Sequence, residues 1–168
     1  MDLVSYADLV VELVNTQHPA EDSLKDLETL RDLLTIRPHL TGRLTSRDLD
    51  GFRQLRANFR AIFEAAAAGD HALAADGLNN LLILYPIHPA LSNHGDSPWH
   101  LHLTEDGTIT DRYAAGAAMG LALVIGERGF GALGICACPG CFNIYFHKES
   151  DSSQRYCSEG CSERDSGQ

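Results

Sequence analysis

All five cysteines of the chain lie between residues 136 and 161, three in the stretch CACPGC and two in CSEGC. Thiolates bind zinc at about 2.3 Å and four of them complete a tetrahedral site, so this part of the chain carries one thiol more than a single ion needs. A disulfide scaffold would spread its cysteines over the fold, so the clustering favours a metal. Pro139-Gly140 supplies the tight turn that lets two sulfurs of one short segment reach the same ion. Cys157 and Cys161 stand four residues apart and share a face where CSEGC opens a helix. For the first half of the site, Cys138 with Cys141 competes with Cys136 with Cys141, and spacing alone prefers the first, a C-x2-C knuckle.

A second group of reactive side chains sits in WHLHL. On a strand over 99–104, His100 and His102 point to one face and Trp99, Leu101 and Leu103 to the other. Two histidines so placed can ligate a metal, titrate near neutrality or hydrogen-bond an anion. The plainer reading makes the Trp-Leu-Leu face core and leaves the histidines in water. Asn15 and Thr16 end the first element, either as its cap or as part of a pocket shared with His102 and with Arg56 or Arg60. The expected ligand-binding residues are therefore Asn15, Arg56, Trp99, His100 and His102, although a solvated helix face also accounts for the arginines. An enzyme on this scaffold would draw on His100, His102 or Cys138 for acid-base or nucleophilic chemistry.

These groups need a frame. Leu9, Val10, Leu13 and Val14 suit a helix over 5–15, although LVVELV also reads as a buried strand. Ser23 with Asp26 marks a helix start, and a leucine stripe from Leu24 to Leu34 runs on until Arg37-Pro38. Thr45 with Asp48 starts the strongest helix, with apolar residues from Leu49 to Ala66 at three- and four-residue steps. Gly69 ends it as a left-handed cap, and Asp70 caps a second helix that folds back on the first. Residues 86–98 read as a loop, 99–104 as a strand leading to an Asp-Gly turn, and about 111–127 as a helix ended by Gly129. Gly116 and Gly120 give that helix a small-residue face suited to close packing. Phe142, Ile144 and Phe146 alternate as a strand, KESDSS turns, and QRYC returns as a second strand.

Composition narrows the function. The chain carries 13 Lys and Arg against 23 Asp and Glu, a net charge of −10. No basic patch is visible to neutralise phosphates, which argues against a free-standing nucleic-acid binder. The longest weakly polar run, residues 113–126, is shorter than the roughly 20 residues that span a bilayer, so no membrane partner is expected. Asp2 and Asp8 stand where a signal peptide needs bases, and a cytoplasmic protein is expected.

LGICACPGCFNIYFHKESDSSQRYCSEGCSER resembles the CGNR zinc finger, in which a cysteine, four residues and a cysteine precede a hairpin, an aromatic-Cys pair and a last cysteine. VELVNTQHP and WHLHL resemble the N-terminal motif and the Trp-x-x-His segment of the ABATE domain, so nearly the whole chain is similar to an ABATE domain followed by a CGNR finger. The resemblance implies Zn2+ on Cys136, Cys141, Cys157 and Cys161, with Cys138 as an extra thiol. It implies a stress-related transcription regulator with an N-terminal ligand-sensing domain. The family's basic hairpin turn and basic last helix are missing. CGNR has become CSER, and only Arg155 and Arg164 match the DNA-contacting pattern.

The expected architecture is α+β: a mainly helical domain over 1–130 with a small β-hairpin, then a small treble-clef zinc finger over 131–168. The expected function is that of a zinc-binding transcription regulator, with one structural Zn2+, that senses an unknown small-molecule ligand through its N-terminal domain, with DNA binding weakened or lost. A small-molecule enzyme, or an interaction module that forms a homodimer or meets a protein partner, is the alternative.

Overall fold

The computed structural model describes residues 4–19, 21–35, 40, 42–93, 99–104, 106–148 and 153–166. The chain is α+β, mainly helical with two small antiparallel hairpins, and its cysteines are gathered near the C-terminal end. In chain order the elements are α1 Asp8–Val14, α2 Leu27–Leu34, α3 Ser46–Ala67, α4 His71–Leu84, β1 Ala90–Ser92, β2 His100–His102, α5 Ile109–Arg128, β3 Leu133–Ile135, β4 Ile144–Phe146 and α6 Glu159–Ser166. A 3-10 turn, Val4–Ala7, leads into α1.

Most helix boundaries follow side-chain chemistry legible in the sequence. Thr45 and Asp48 form a reciprocal capping box at α3, and Thr108 and Asp111 form another at α5, which begins two residues before the expected start. Gly69 takes φ +80°, the left-handed conformation that ends α3, and the Asp70 carboxylate accepts from Leu73 N at 3.0 Å to start α4. The expected start at Ser23 is corrected. Asp26 caps α2 by accepting from the Glu28 and Thr29 amides, while the Asp22 carboxylate accepts from Leu24 N and holds that stretch outside the helix. The Arg37-Pro38 stop lies outside the described residues.

α3 is the central element. Phe52, Leu55, Phe59, Ile62 and Phe63 are buried along it and meet Leu9, Val10, Leu13 and Val14 of α1. Full burial of such side chains contributes roughly 2 kcal/mol each. The small-residue face of α5 receives the 3-10 turn and α1. A Cβ at Gly116 would lie 2.7 Å from Tyr6 Cδ1, and one at Gly120 would lie 2.5 Å from the Tyr6 carbonyl carbon and closer still to Ala7 N. The Tyr113 hydroxyl of α5 donates to Leu9 O at 2.6 Å and fixes the register.

Both hairpins depart from the sequence reading. β2 pairs with β1, Leu101 opposite Leu91, inside a stretch read as loop. Of its expected core face only Leu103 is buried, while Trp99 is 67% exposed. β4 pairs with β3, Ile144 opposite Ile135, and QRYC is not a strand. Its carbonyls are taken elsewhere: Gln154 O by the Tyr145 hydroxyl, Arg155 O by Ala137 N, and Tyr156 O by the Gln154 side chain. The turn residues 149–152 lie outside the described residues.

Leu133 and Ile144 are buried in the same core as α1 and α3, and the Phe146 ring lies 5.8 Å from that of Phe63. Apolar packing therefore continues across residue 130. No helix among the described residues is long and apolar enough to cross a membrane.

Candidate metal centre

The knuckle that follows β3 is built on one unusual residue. Gly140 takes φ +76°, and the turn closes with Cys141 N donating to Cys138 O at 2.9 Å. This returns Cys141 toward Cys136, whose own amide donates to Asn143 O at 2.9 Å. At the far end of the chain, the Ser158 hydroxyl accepts from Cys161 N at 3.3 Å and opens α6, so Cys161 is in the helix and Cys157 stands just before it.

The sulfurs of Cys136, Cys141, Cys157 and Cys161 all lie within 4.8 Å of one another. Cys141 Sγ to Cys157 Sγ is 3.8 Å and Cys157 Sγ to Cys161 Sγ is 3.6 Å. A tetrahedron with metal-sulfur bonds of about 2.3 Å has edges of about 3.8 Å, so the donor set fits one tetrahedral ion. Cys138 stands outside this group. Cys138 is buried, burial raises its pKa, and its Sγ lies 3.8 Å from Pro139 O.

The surroundings bias the thiols unequally. The Ser158 hydroxyl and the Arg164 guanidinium, whose Nη2 donates to Cys161 Sγ at 2.9 Å, bring Cys161 down to about 6. Burial, with hydrogen bonds from Cys161, Cys136 and Cys141, pushes Cys157 up to about 12. An ion must displace protons held on these sulfurs, so metal binding weakens as the pH falls.

Tyr145 ties the two halves of the thiol set together. Its ring lies against Gly134 on the neighbouring strand, where a Cβ would come within 2.5 Å of Cζ, and its hydroxyl donates to Gln154 O at 2.8 Å. Of the residues matched to a DNA surface, Arg164 turns toward Cys161. Arg155 is exposed, with its guanidinium 5.8 Å from the centre of the Tyr156 ring.

The residues expected to bind a ligand are distributed differently. Asn15 spends its amide on β4, accepting from Ile144 N at 2.8 Å and donating to Ile144 O at 3.0 Å. Arg56 is buried in α3 and reaches both carboxylate oxygens of Asp22 at 2.7 Å and the Thr16 hydroxyl at 2.9 Å, so its solvated-face reading is corrected. His102 is half-buried on β2 and Trp99 is exposed at its edge. His100 lies on the same strand.

Residues 7–127 match the family model ABATE, described as "Putative stress-induced transcription regulator". The chain belongs to the ABATE family. No curated protein matches it. The matched region holds α1 to α5, and the thiol set follows it.

Within the ABATE region, sequence reasoning missed the corner formed by residues 15–23. Gln17 and Asp22 bridge as antiparallel neighbours, Ser23 N donates to Thr16 O, and Asp22 is thereby presented to Arg56. A cavity of about 400 Å³ opens beside this corner, lined by Gln17, His18, Pro19, Arg60, Glu64 and Phe142. Phe142 comes from the cysteine segment, so the cavity lies at the seam between the ABATE helices and the thiol set. Arg60 and Glu64 stand one turn apart on α3, but that helix carries several other charged residues, so the pair gave no distinctive signal in the sequence.

The Arg56–Asp22 pair gives a direct test of the corner. Arg56 hydrogen bonds hold the Asp22 carboxyl below the usual carboxylate range. The pair therefore contributes fully above about pH 4, and its contribution is lost as the pH falls through the lower, folded-state pKa. Breaking a buried pair costs about 3–5 kcal/mol, a value to be discounted here because the Asp22 side chain is 40% exposed while that of Arg56 is 6% exposed. Asp22→Asn is expected to lower stability by about 2 kcal/mol at pH 7 in urea unfolding, with the difference shrinking toward pH 3.

Proposed function

We propose that this ABATE protein is a zinc-binding regulator in which the helical domain senses a small ligand and a treble-clef finger holds one structural zinc. The observation that carries the reading is the set of four sulfurs within 4.8 Å of one another, held by strands whose Leu133 and Ile144 are packed on the same core as the helices. The knuckle joins the two strands of the β3–β4 hairpin and a short helix follows, an arrangement that suits a treble clef, and an all-thiolate set suits Zn2+. DNA binding through this finger is weakened: the chain is acidic overall, and Arg164 is engaged with a thiol.

The seam cavity is the favoured ligand site. Arg60 offers N–H groups to a carboxylate, Glu64 faces the same space, and Phe142 and Pro19 supply apolar wall, which suits a small polar acid with an apolar part. The hairpin with Trp99, His100 and His102 is the competing place. A thermal-shift screen of amino acids and small carboxylates is expected to yield a hit that survives His102→Ala and is lost in Arg60→Met. The reverse pattern moves the site to the hairpin.

Elemental analysis is expected to find about one zinc per chain. In fluorescence anisotropy with mixed duplex DNA, weak association that vanishes at moderate salt is expected; submicromolar, salt-steep binding defeats the claim of weakening.

A second reading, pairing with another copy of the chain, is favoured by the outer face of α4. Leu73, Ile83 and Leu84 are exposed on a helix that carries one ionised side chain, Asp76, in a chain of net charge −10. Two copies meeting there keep their acidic surfaces apart, and light scattering behind a sizing column measures the mass directly.

A further inference from the structure

The segment Phe142–Ile144 has two sides. Toward the helices it presents backbone: Ile144 N and O are both engaged by the Asn15 amide, and Phe142 O accepts from Arg60 Nη1 at 2.5 Å. Toward the thiols it presents Asn143, whose carbonyl accepts from Cys136 N and whose Nδ2 lies 3.8 Å from Cys157 Sγ. Cys141 is joined directly to its start. One three-residue stretch thus touches three of the four candidate ligands on one side and two helices on the other.

Asn15 itself terminates α1, its backbone N–H bonded to Val11 O at 3.0 Å. The next residue, Thr16, takes a hydrogen bond from Arg56, which holds Asp22. Any displacement of β4 is therefore felt at the end of α1 and at the corner that walls the seam cavity.

We propose that Asn15 is a positioning residue of the metal centre, and that metal binding at the cysteines is thermodynamically linked to the order of residues 11–18. Groups that orient ligands without touching the ion typically affect affinity by about tenfold to a hundredfold. Linkage is reciprocal: if the bound ion steadies the end of α1, whatever steadies that end tightens the ion by the same factor. An occupant of the seam cavity would act on the same segment through Arg60. The inference rests on the metal-binding reading above.

The test uses the full chain, with Zn2+ titrated against a chromophoric chelator and with hydrogen–deuterium exchange in metal-loaded and metal-stripped samples. Asn15→Ala is expected to weaken zinc binding about tenfold or more. Asn15→Asp, which keeps the acceptor for Ile144 N–H and loses the donor, is expected to fall between it and the unaltered protein. In the unaltered protein, zinc should slow exchange over residues 11–18 as well as over 133–166; in Asn15→Ala only the second effect should remain. Arg60→Met leaves the Asn15 bonds in place and serves where Asn15→Ala does not fold, with the same direction of change in zinc affinity. Equal zinc affinity in all variants, or zinc protection confined to 133–166 in the unaltered chain, overturns the linkage. A chain that takes up no metal overturns the metal-binding reading itself.

Discussion

Cys161→Ser is expected to weaken metal binding about a hundredfold or more, whereas Cys138→Ser leaves it unchanged. Apparent binding free energies of structural zinc in thiolate sites are about 10–16 kcal/mol, so one sulfur of four accounts for about 3 kcal/mol, or a hundredfold or more in affinity. Cys161 should lie at the upper end of that range. It is the thiol most readily ionised, at about 6, and its loss also leaves the Arg164 guanidinium without its sulfur partner. Chelator competition and elemental analysis measure the effect, and near-ultraviolet circular dichroism follows Tyr145 and Tyr156 as the module loosens. Equal metal loss in the two variants would show that Cys138 is a ligand and that the four-sulfur set is wrongly drawn.

Gly120→Ala is the second large effect, and its sign runs against helix propensity. In an exposed helix interior the change would gain about 1 kcal/mol. Here the new methyl is directed into the backbone of the 3-10 turn, 2.5 Å from the Tyr6 carbonyl carbon, and main chain cannot swing aside as a side-chain end can. The turn and α1 must move away from α5, and the Tyr113–Leu9 hydrogen bond goes with them. A loss of about 3 kcal/mol is expected, readable as a drop in the urea midpoint. Gly126→Ala on the same helix, with nothing within 4 Å of its Cβ, is the control and should be neutral or stabilising.

Local chemistry made the helices legible. Thr45, Asp48, Gly69 and Asp70 each act within four residues of themselves, so their positions along the chain were enough. Ser23 misled because the side chain that decides the start of α2 is Asp26, and Asp22 competes for the preceding backbone. β1 and β3 were missed because three-residue strands carry too little alternation to register, and β3 contains a glycine. The thiol set was legible from a family resemblance, whereas bare spacing preferred Cys138. That Asn15 ends α1 was legible, but its side-chain bonds to β4 were not, since that partner lies 129 residues away and is backbone, which leaves no trace in residue type.

Gly134 holds no ion and donates nothing to the thiols. Because it lacks a side chain, the Tyr145 ring can lie close against its strand, and the phenol reaches the carbonyl of Gln154, three residues ahead of Cys157. The ring works as a spacer of fixed length between the knuckle thiols and the helix thiols, seated on bare backbone. A single methyl group at 134 would tilt that spacer and change the gap an ion has to fill. The bore of the metal centre is thus gauged by a missing carbon on a strand that contributes no sulfur.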